Sequence, residues 1–191
     1  LGAEQSGFIT DMGFETYQKI LAEAMEELGV ETGISVKGKD DNYISDCTIE
    51  TDQLALIPDT YIDMTAEKIR IYKELDSLSS EKEMEQMKKK LSDRFGAIPE
   101  ELSRLFDIVR IRQKGQKLGF EKIIIKNGVM IAFFISNPLS QYYRSNRFSK
   151  ILESISMYPN IFELKQNDSK LRIFSRNIDS IARAYEVLSK L

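Results

Sequence analysis

The spacing of apolar residues changes at Gly119, and this change limits the folds that the chain can adopt. Before Gly119, apolar residues recur every three or four positions, which is the period of an amphipathic helix. After it, the runs 122–126 and 129–135 flank the dipeptide Asn127-Gly128. This dipeptide favours a type I′ turn, which requires φ > 0 at both central residues, and it therefore predicts a β-hairpin. An all-helical fold is excluded.

Four helices are predicted before the hairpin. The first covers residues 13–28, and a polar stretch with the character of a linker follows it. Each of the others starts beside a residue that often occupies a helix N-terminus. Their predicted starts are Thr65 or Asp63, Ser79 or Ser80, and Pro99. The last of these helices runs to about Leu118. Its polar side is expected to face solvent through Arg104, Arg110, Arg112, Lys114 and Lys117.

The region after the first hairpin is predicted to alternate between helices and strands. A helix is expected around Pro138–Met157, and a second hairpin pairs Ile161–Lys165 with Leu171–Phe174. Asn177 is expected to cap a final helix. The predicted class is α+β, with a helical N-terminal half followed by antiparallel β-hairpins that alternate with helices. A two-fold ββα repeat and a fold without one both fit this order.

The composition removes several kinds of chemistry. The chain has no His and one Cys, so a His/Cys zinc site and a catalytic triad cannot be built. The motifs GxxxxGK[ST] and GxGxxG are absent, and the acidic pairs lie in solvated runs or at helix starts. We therefore expect no metal site and no catalytic residue in this chain. A lone Cys47 forms no internal disulfide, which fits a cytoplasmic location.

Two basic stretches are the remaining candidates for binding. The first, Gln141–Lys150, carries Arg144, Arg147 and Lys150 beside Tyr142, Tyr143 and Phe148. Such residues could contact nucleic acid, or they could form an amphipathic helix with aromatic side chains in the core and solvated cations. The second is the 104–122 stretch, with a net charge of +4. It is either a solvated helix face or a surface for an acidic partner, so a nucleic-acid-binding module is the alternative function.

The order of several longer motifs resembles one family. LGAEQSGFITDMGFETYQKILAEAMEEL is similar to the stretch after the last helicase motif of the bacterial transcription-repair coupling factor (Mfd) family. ALIPDTYI, IRIYKELDSL and LSDRFGAIPEELSRLFDIVRIRQKGQKLGFEKI follow in the order seen in the C-terminal domain of that family. The resemblance covers essentially the whole chain, and it suggests that the chain is a C-terminal fragment.

The resemblance implies a division of the chain into three parts. Residues 1–30 would be the tail of the second RecA-like translocase lobe, 31–49 a linker and 50–191 the C-terminal regulatory domain. Four residues match the end of the translocation motif of the family. They are Gly2, Gln5, Ser6 and Gly7.

The resemblance also implies a function and its partners. The parent protein would be an ATP- and Mg²⁺-dependent translocase of double-stranded DNA that binds RNA polymerase and UvrA in nucleotide excision repair. ATP and Mg²⁺ would belong to the parent motor, with no cofactor in this chain and no membrane partner. The regulatory domain would pack on the UvrB-like module of the same protein, mask the UvrA-binding surface and restrain the motor.

The same resemblance suggests interface residues on the helix that leads into the sequence DRFG. Asp93 matches one of two acidic contact positions of the family, with Arg94 beside it. The other acidic position is occupied here by Lys90, which reverses the charge.

Overall fold

The computed structural model describes residues 43–167 and 170–191 of the 191-residue chain. The predicted helix over 13–28 and the motif residues Gly2, Gln5, Ser6 and Gly7 lie outside these described residues. The described residues form two compact units. We call residues 54–106 the helical unit, and residues 43–53 with 107–191 the sheet unit.

The helical unit contains α1 (Thr65–Ser77), α2 (Glu81–Phe95) and the first part of α3 (Glu100–Leu118). Ser80 caps α2, because its hydroxyl oxygen accepts a hydrogen bond from the backbone N–H of Glu83. The predicted cap of α1 is wrong. Met64 occupies the N-cap position and forms no side-chain cap there. Buried apolar residues from the three helices form the core of this unit: Ile71, Tyr72, Leu75, Met84, Met87, Leu91, Leu102 and Leu105.

The sheet unit contains five strands in the order β1-β2-β3-β5-β4. They are β1 (Thr48–Thr51), β2 (Phe120–Lys126), β3 (Val129–Phe134), β4 (Glu163–Asn167) and β5 (Lys170–Arg176). A 3-10 helix (Gln141–Arg144) and α4 (Asn146–Met157) follow β3, and α5 (Ile181–Leu188) follows β5. The first hairpin turns at Asn127 and Gly128, which have φ values of 53° and 72°, as the type I′ turn requires.

The two hairpins lie side by side in the sheet as a ββα repeat. β3 pairs antiparallel with both β2 and β5, and β5 pairs antiparallel with β4. Each hairpin is followed by a helix, so the predicted α+β class and the order of its elements are confirmed. The sheet is nevertheless mixed, because β1 pairs with β2 in the parallel direction through Ile49 and Ile123.

Two local predictions in the sheet unit are wrong. The predicted helix over Pro138–Met157 is interrupted at Ser145, whose hydroxyl caps α4 by accepting from the N–H of Phe148. Asn177 does not cap the last helix, since it has a left-handed φ of 59° and Ser180 is the N-cap. In both places a serine hydroxyl accepts a hydrogen bond from a backbone N–H of the first helical turn, which has no partner within the helix.

No helix in the part of the chain that the structure describes has the length and apolar character needed to cross a membrane.

Candidate functional site

The predicted interface residues Lys90, Asp93 and Arg94 lie together on one exposed face of α2. The opposite face is buried through Met84, Met87 and Leu91. This division follows from residue spacing, because residues three or four apart share a helix face. A shallow groove of about 450 Å³ runs along the exposed face. It is lined by Gln86, Lys89, Lys90, Asp93 and Arg94.

A chain of ion pairs within the helical unit holds both cations of this face. The Nζ atom of Lys90 lies 2.8 Å from a Glu74 carboxylate oxygen, and Arg94 lies 2.5 Å from Glu67. Arg70 joins the two acids, at 2.7 Å from Glu67 and 3.2 Å from Glu74. Hydrogen bonds from Arg70, with the charge of Arg94, hold the pKa of Glu67 below its ordinary value. Two α1 carboxylates thus share the three cations Arg70, Lys90 and Arg94, so Lys90 and Arg94 are paired while one positive charge remains in excess.

Asp93 is the anionic group that this arrangement leaves available. Its side chain is exposed between Lys90 and Arg94. Among the described residues, none forms an ion pair or hydrogen bond with the Asp93 carboxylate. An exposed carboxylate without a partner can accept two hydrogen bonds from a single arginine side chain. The Asp93 carboxylate can therefore pair with a cationic group, and the same groove also presents the exposed ammonium group of Lys89.

The aromatic residues near Arg144, Arg147 and Lys150 are used for packing inside the sheet unit. Tyr142 is 0% exposed, and its hydroxyl donates a hydrogen bond to the Leu118 carbonyl oxygen at 2.5 Å. Burial raises the pKa of the Tyr142 hydroxyl, so it stays a donor. The rings of Phe134, Tyr142, Tyr143 and Phe148 contact one another with centroid separations between 5.0 and 6.1 Å. This packing leaves the Tyr142 ring no face on which a base could stack.

The positive charge of the 104–122 stretch is largely balanced by carboxylates. Arg110 pairs with Asp107 at 2.9 Å, and Arg112 pairs with Asp46 at 2.6 Å. The prediction that both arginines face solvent is wrong, because their side chains are only 16% and 18% exposed. Arg104 pairs with Glu100 in the same way. The apolar stripe of α3 did not indicate that the side of the helix carrying Arg110 and Arg112 is also largely buried.

Cys47 is buried and its thiol is unreactive. Burial, and secondarily the nearby Asp46 carboxylate, raises its pKa to about 12, so the thiolate is not populated near neutral pH. No group of three or more Cys, Asp or Glu side chains that could hold a metal ion occurs within residues 43–167 and 170–191.

The sequence did not indicate the two acids of α1 that form ion pairs with Lys90 and Arg94. The local part of this network had a signal, because Glu67, Arg70 and Glu74 follow i, i+3 and i+4 spacing. The pairs between α1 and α2 had none, since they join residues 16 and 27 positions apart.

Comparisons with known proteins agree in pointing to one family. Residues 51–145 match the TRCF domain family. The transcription-repair-coupling factor of Rickettsia typhi is 33% identical over 180 residues, which are 94% of this chain and 15% of that protein. The factor of Escherichia coli K12 is 35% identical over 123 residues, which are 64% of this chain and 10% of that protein.

A solved structure shares the fold. It is a crystal structure of the C-terminal domain of a transcription-repair coupling factor, with a TM-score of 0.63 and 20% identity. The match covers 76% of this chain and 88% of the solved one.

Helices α1 to α3 followed by the ββα repeats thus define an α+β domain of the TRCF type. The chain belongs to the transcription-repair-coupling factor family, whose members act in DNA repair, and it spans about 15% of the length of the Rickettsia typhi relative that it matches.

Proposed function

We propose that this chain is the C-terminal regulatory region of an ATP-dependent DNA translocase in transcription-coupled nucleotide excision repair. In this proposal residues 50–191 pack on the UvrB-like module of the same protein, cover its UvrA-binding surface and restrain the motor. The observation that carries the proposal is the exposed Asp93 carboxylate on α2, which forms no ion pair or hydrogen bond with any residue in 43–167 or 170–191. The names of the relatives, which are transcription-repair-coupling factors, supply its biological setting.

The α2 face has properties suited to a protein contact. The buried side of the helix fixes its position, and the ion pairs of Lys90 and Arg94 with Glu74 and Glu67 restrict their side chains. A contact made by restrained side chains loses less conformational entropy on binding than one made by free side chains. The face therefore supports recognition by a partner that presents an arginine or lysine to Asp93.

The charge reversal at Lys90 is compatible with this proposal. Because Glu74 lies 2.8 Å from its ammonium group, Lys90 does not present a bare positive charge beside Asp93. A cationic partner would thus meet the Asp93 carboxylate between two cations that are paired with α1, and beside the exposed Lys89, so its binding depends on direct contact with Asp93. Charge reversal of Asp93 at a desolvated contact would cost about 2–5 kcal/mol, whereas at an exposed contact the cost would be about 0–1 kcal/mol.

Regulation of this kind needs an interface that can open. A domain that binds one conformation of its host and not the other shifts the balance between them by its differential affinity. Holding 99% of the molecules closed requires about 2.7 kcal/mol of preference, which one modest polar interface can provide. The highly charged surface of α2 is suited to a modest polar interface that can open.

The experiment that tests the proposal uses the parent protein. Deletion of residues 50–191 should raise both its ATPase rate and its affinity for UvrA. Asp93→Arg should raise them in the same direction, and Glu153→Arg, the same charge change at an exposed position of α4, should leave both unchanged. Unchanged ATPase and UvrA binding in the deletion variant would contradict the proposal.

A further inference from the structure

Within the described part of the sheet unit, one face of the sheet is covered by helices and the side chains of the other face are partly exposed. The covered face is buried through Ile123, Ile125, Met130, Ala132, Phe134 and Ile173. Two helices of the sheet unit contact this face. A Cβ atom added at Gly115 of α3 would lie 3.0 Å from Ile123, and the ring of Phe148 in α4 lies 5.5 Å from that of Phe134. Because side chains alternate along a strand, the intervening residues point to the other side of the sheet, which we call the open face.

The centre of the open face is apolar. Strand register aligns Ile124 with Ile131 and Ile131 with Phe174 across three adjacent strands. Val129 and Phe133 lie on the same side of β3, two residues before and after Ile131. All five side chains are partly exposed. A sheet face of this composition is normally buried against another layer of secondary structure.

Cations surround this apolar centre. Apart from Glu121 at the bulge of β2 and Asp52 just after β1, the strands place six cationic side chains and two carboxylates on the open face, a formal charge of +4. The cations are Lys122, Lys126, Lys165, Lys170, Arg172 and Arg176. The whole chain, in contrast, has a net charge of −3. The open face therefore has the opposite sign to the molecule that carries it.

The two carboxylates of the open face do not neutralise these cations. Glu50 is shared between Lys122 at 2.5 Å and Lys126 at 3.3 Å. On β4, Glu163 is shared between Lys165 at 3.0 Å and Arg176 at 3.7 Å. Each acid thus leaves one positive charge in excess. The surplus favours a partner with carboxylates or phosphates along both of its sides.

The dimensions of the open face fit a single helix. Its five strands span about 19 Å at the usual strand spacing. An α-helix of about 13 residues has this length and a diameter of about 10–12 Å. The surface that one such helix would cover is smaller than the about 800 Å² per partner of a stable interface. Binding should therefore be weak and reversible.

The chemistry of the face favours a helix over a nucleic acid. Nucleic-acid bases stack on exposed aromatic rings, but the Phe174 ring is already contacted by two cations. The Lys165 ammonium lies 4.7 Å and the Arg172 guanidinium 5.1 Å from its centroid. The centre of the face at Ile124 and Ile131 is aliphatic and offers no stacking surface, which leaves Phe133 as the aromatic ring of this face to which no cation is assigned among the described contacts.

We propose that the open face of the sheet is a docking site for an amphipathic helix of a partner protein, with apolar residues along one stripe and carboxylates along its flanks. The site consists of strand residues of the sheet unit and shares no residue with the α2 face that carries the proposed regulatory contact.

The test uses the full chain and a designed probe. The probe is a labelled peptide of about 18 residues with leucines on one helical stripe and glutamates on both flanks. Its matched control has lysines in place of the glutamates. We expect saturable binding of the acidic peptide, weakened by added salt, with amide shifts in NMR spectra concentrated at Ile124, Ile131 and Phe174. The lysine peptide should bind at least about tenfold more weakly.

Paired variants locate the site. Lys126→Glu with Arg176→Glu should weaken binding of the acidic peptide by at least about tenfold, because both residues flank the apolar centre. Lys82→Glu with Lys150→Glu makes the same charge change at exposed positions of α2 and α4 and should alter binding less than about twofold. Thermal melting of each variant verifies that it is folded.

Three results would overturn the proposal. They are equal binding of the acidic and lysine peptides, amide shifts outside the open face, and no binding of the acidic peptide by the folded chain. Binding of a single-stranded oligonucleotide to the open face, without binding of the acidic peptide, would assign the face to nucleic acid instead.

Discussion

Gly115 occupies a close contact inside the sheet unit, and replacing it with alanine should destabilise the fold. A glycine inside a helix normally costs about 1 kcal/mol relative to alanine, so the substitution would be stabilising on an open helix surface. Here an added Cβ atom would lie 2.6 Å from the Sγ atom of Cys47 and 3.0 Å from the Cδ1 atom of Ile123. Both distances are well below the optimal separation of about 3.5–4.0 Å between carbon atoms.

The magnitude follows from these two opposing effects. Overpacking of a close-packed site costs about 1–3 kcal/mol, and the gain in helix propensity offsets about 1 kcal/mol of it. We therefore expect Gly115→Ala to lower the free energy of unfolding by up to about 2 kcal/mol. Removing the sulfur atom with Cys47→Ala should relieve the closer of the two contacts. In that background the same change at Gly115 should cost at least about 1 kcal/mol less.

The assay is urea-induced unfolding followed by circular dichroism for the four proteins of this cycle. An unchanged dependence of the free energy on urea concentration would show that the variants unfold as the parent does. Cys47→Ala alone is the control for the lost thiol. Stabilisation of the native chain by Gly115→Ala, or an equal effect with and without Cys47, would contradict the close contact between residue 115 and Cys47.

Three further outcomes are expected. Tyr142→Phe should destabilise the chain by about 1 kcal/mol in urea unfolding, because the Leu118 carbonyl loses its buried donor. Hydrogen bonds, chiefly from Lys122, hold the pKa of Glu50 below its ordinary value of 4.5, so Glu50 stabilises the fold above that pH, and its contribution is lost as the pH falls through the lowered pKa. The stability difference between the native chain and Glu50→Gln should therefore be present at about pH 6 and absent at about pH 2 in urea melts. Cys47, with its pKa raised to about 12, should resist a thiol-specific reagent at about pH 8 until the chain unfolds, and rapid labelling of the folded chain would contradict its burial.

Elements with local signals were predictable from the sequence. Asn127-Gly128 forms the expected turn, and the helix predicted to start at Ser79 or Ser80 is present, with Met84, Met87 and Leu91 buried at helical spacing. The apolar runs on either side of this turn also form the expected strands, because a type I′ turn joins the two strands of a hairpin.

Features that depend on distant parts of the chain were not predictable. The parallel pairing of β1 with β2 joins Thr48 to Lys122, and no local pattern specifies a partner so far along the sequence. The helix break at Ser145 and the cap at Ser180 depend on the backbone conformation before each helix. The sequence did not specify which nearby polar residue would occupy each N-cap position.

The candidate site likewise has a part that was predictable from the sequence and a part that was not. Its residues on α2 came from motif resemblance, whereas the ion pair of Lys90 with Glu74 depends on the packing of α1 beside α2. Only the folded helical unit shows that Asp93, unlike Lys90 and Arg94, forms no ion pair with a described residue. The open face of the sheet was likewise invisible, since its charge arises from four strands brought together.

We expect a calorimetric titration of this chain with the UvrB-like module proposed as its partner to show saturable binding. Asp93→Arg should weaken that binding at least about thirtyfold, which corresponds to about 2 kcal/mol, while Glu153→Arg should leave the affinity within about twofold. No binding, or equal affinities for the native chain and Asp93→Arg, would show that this chain does not bind the module through Asp93.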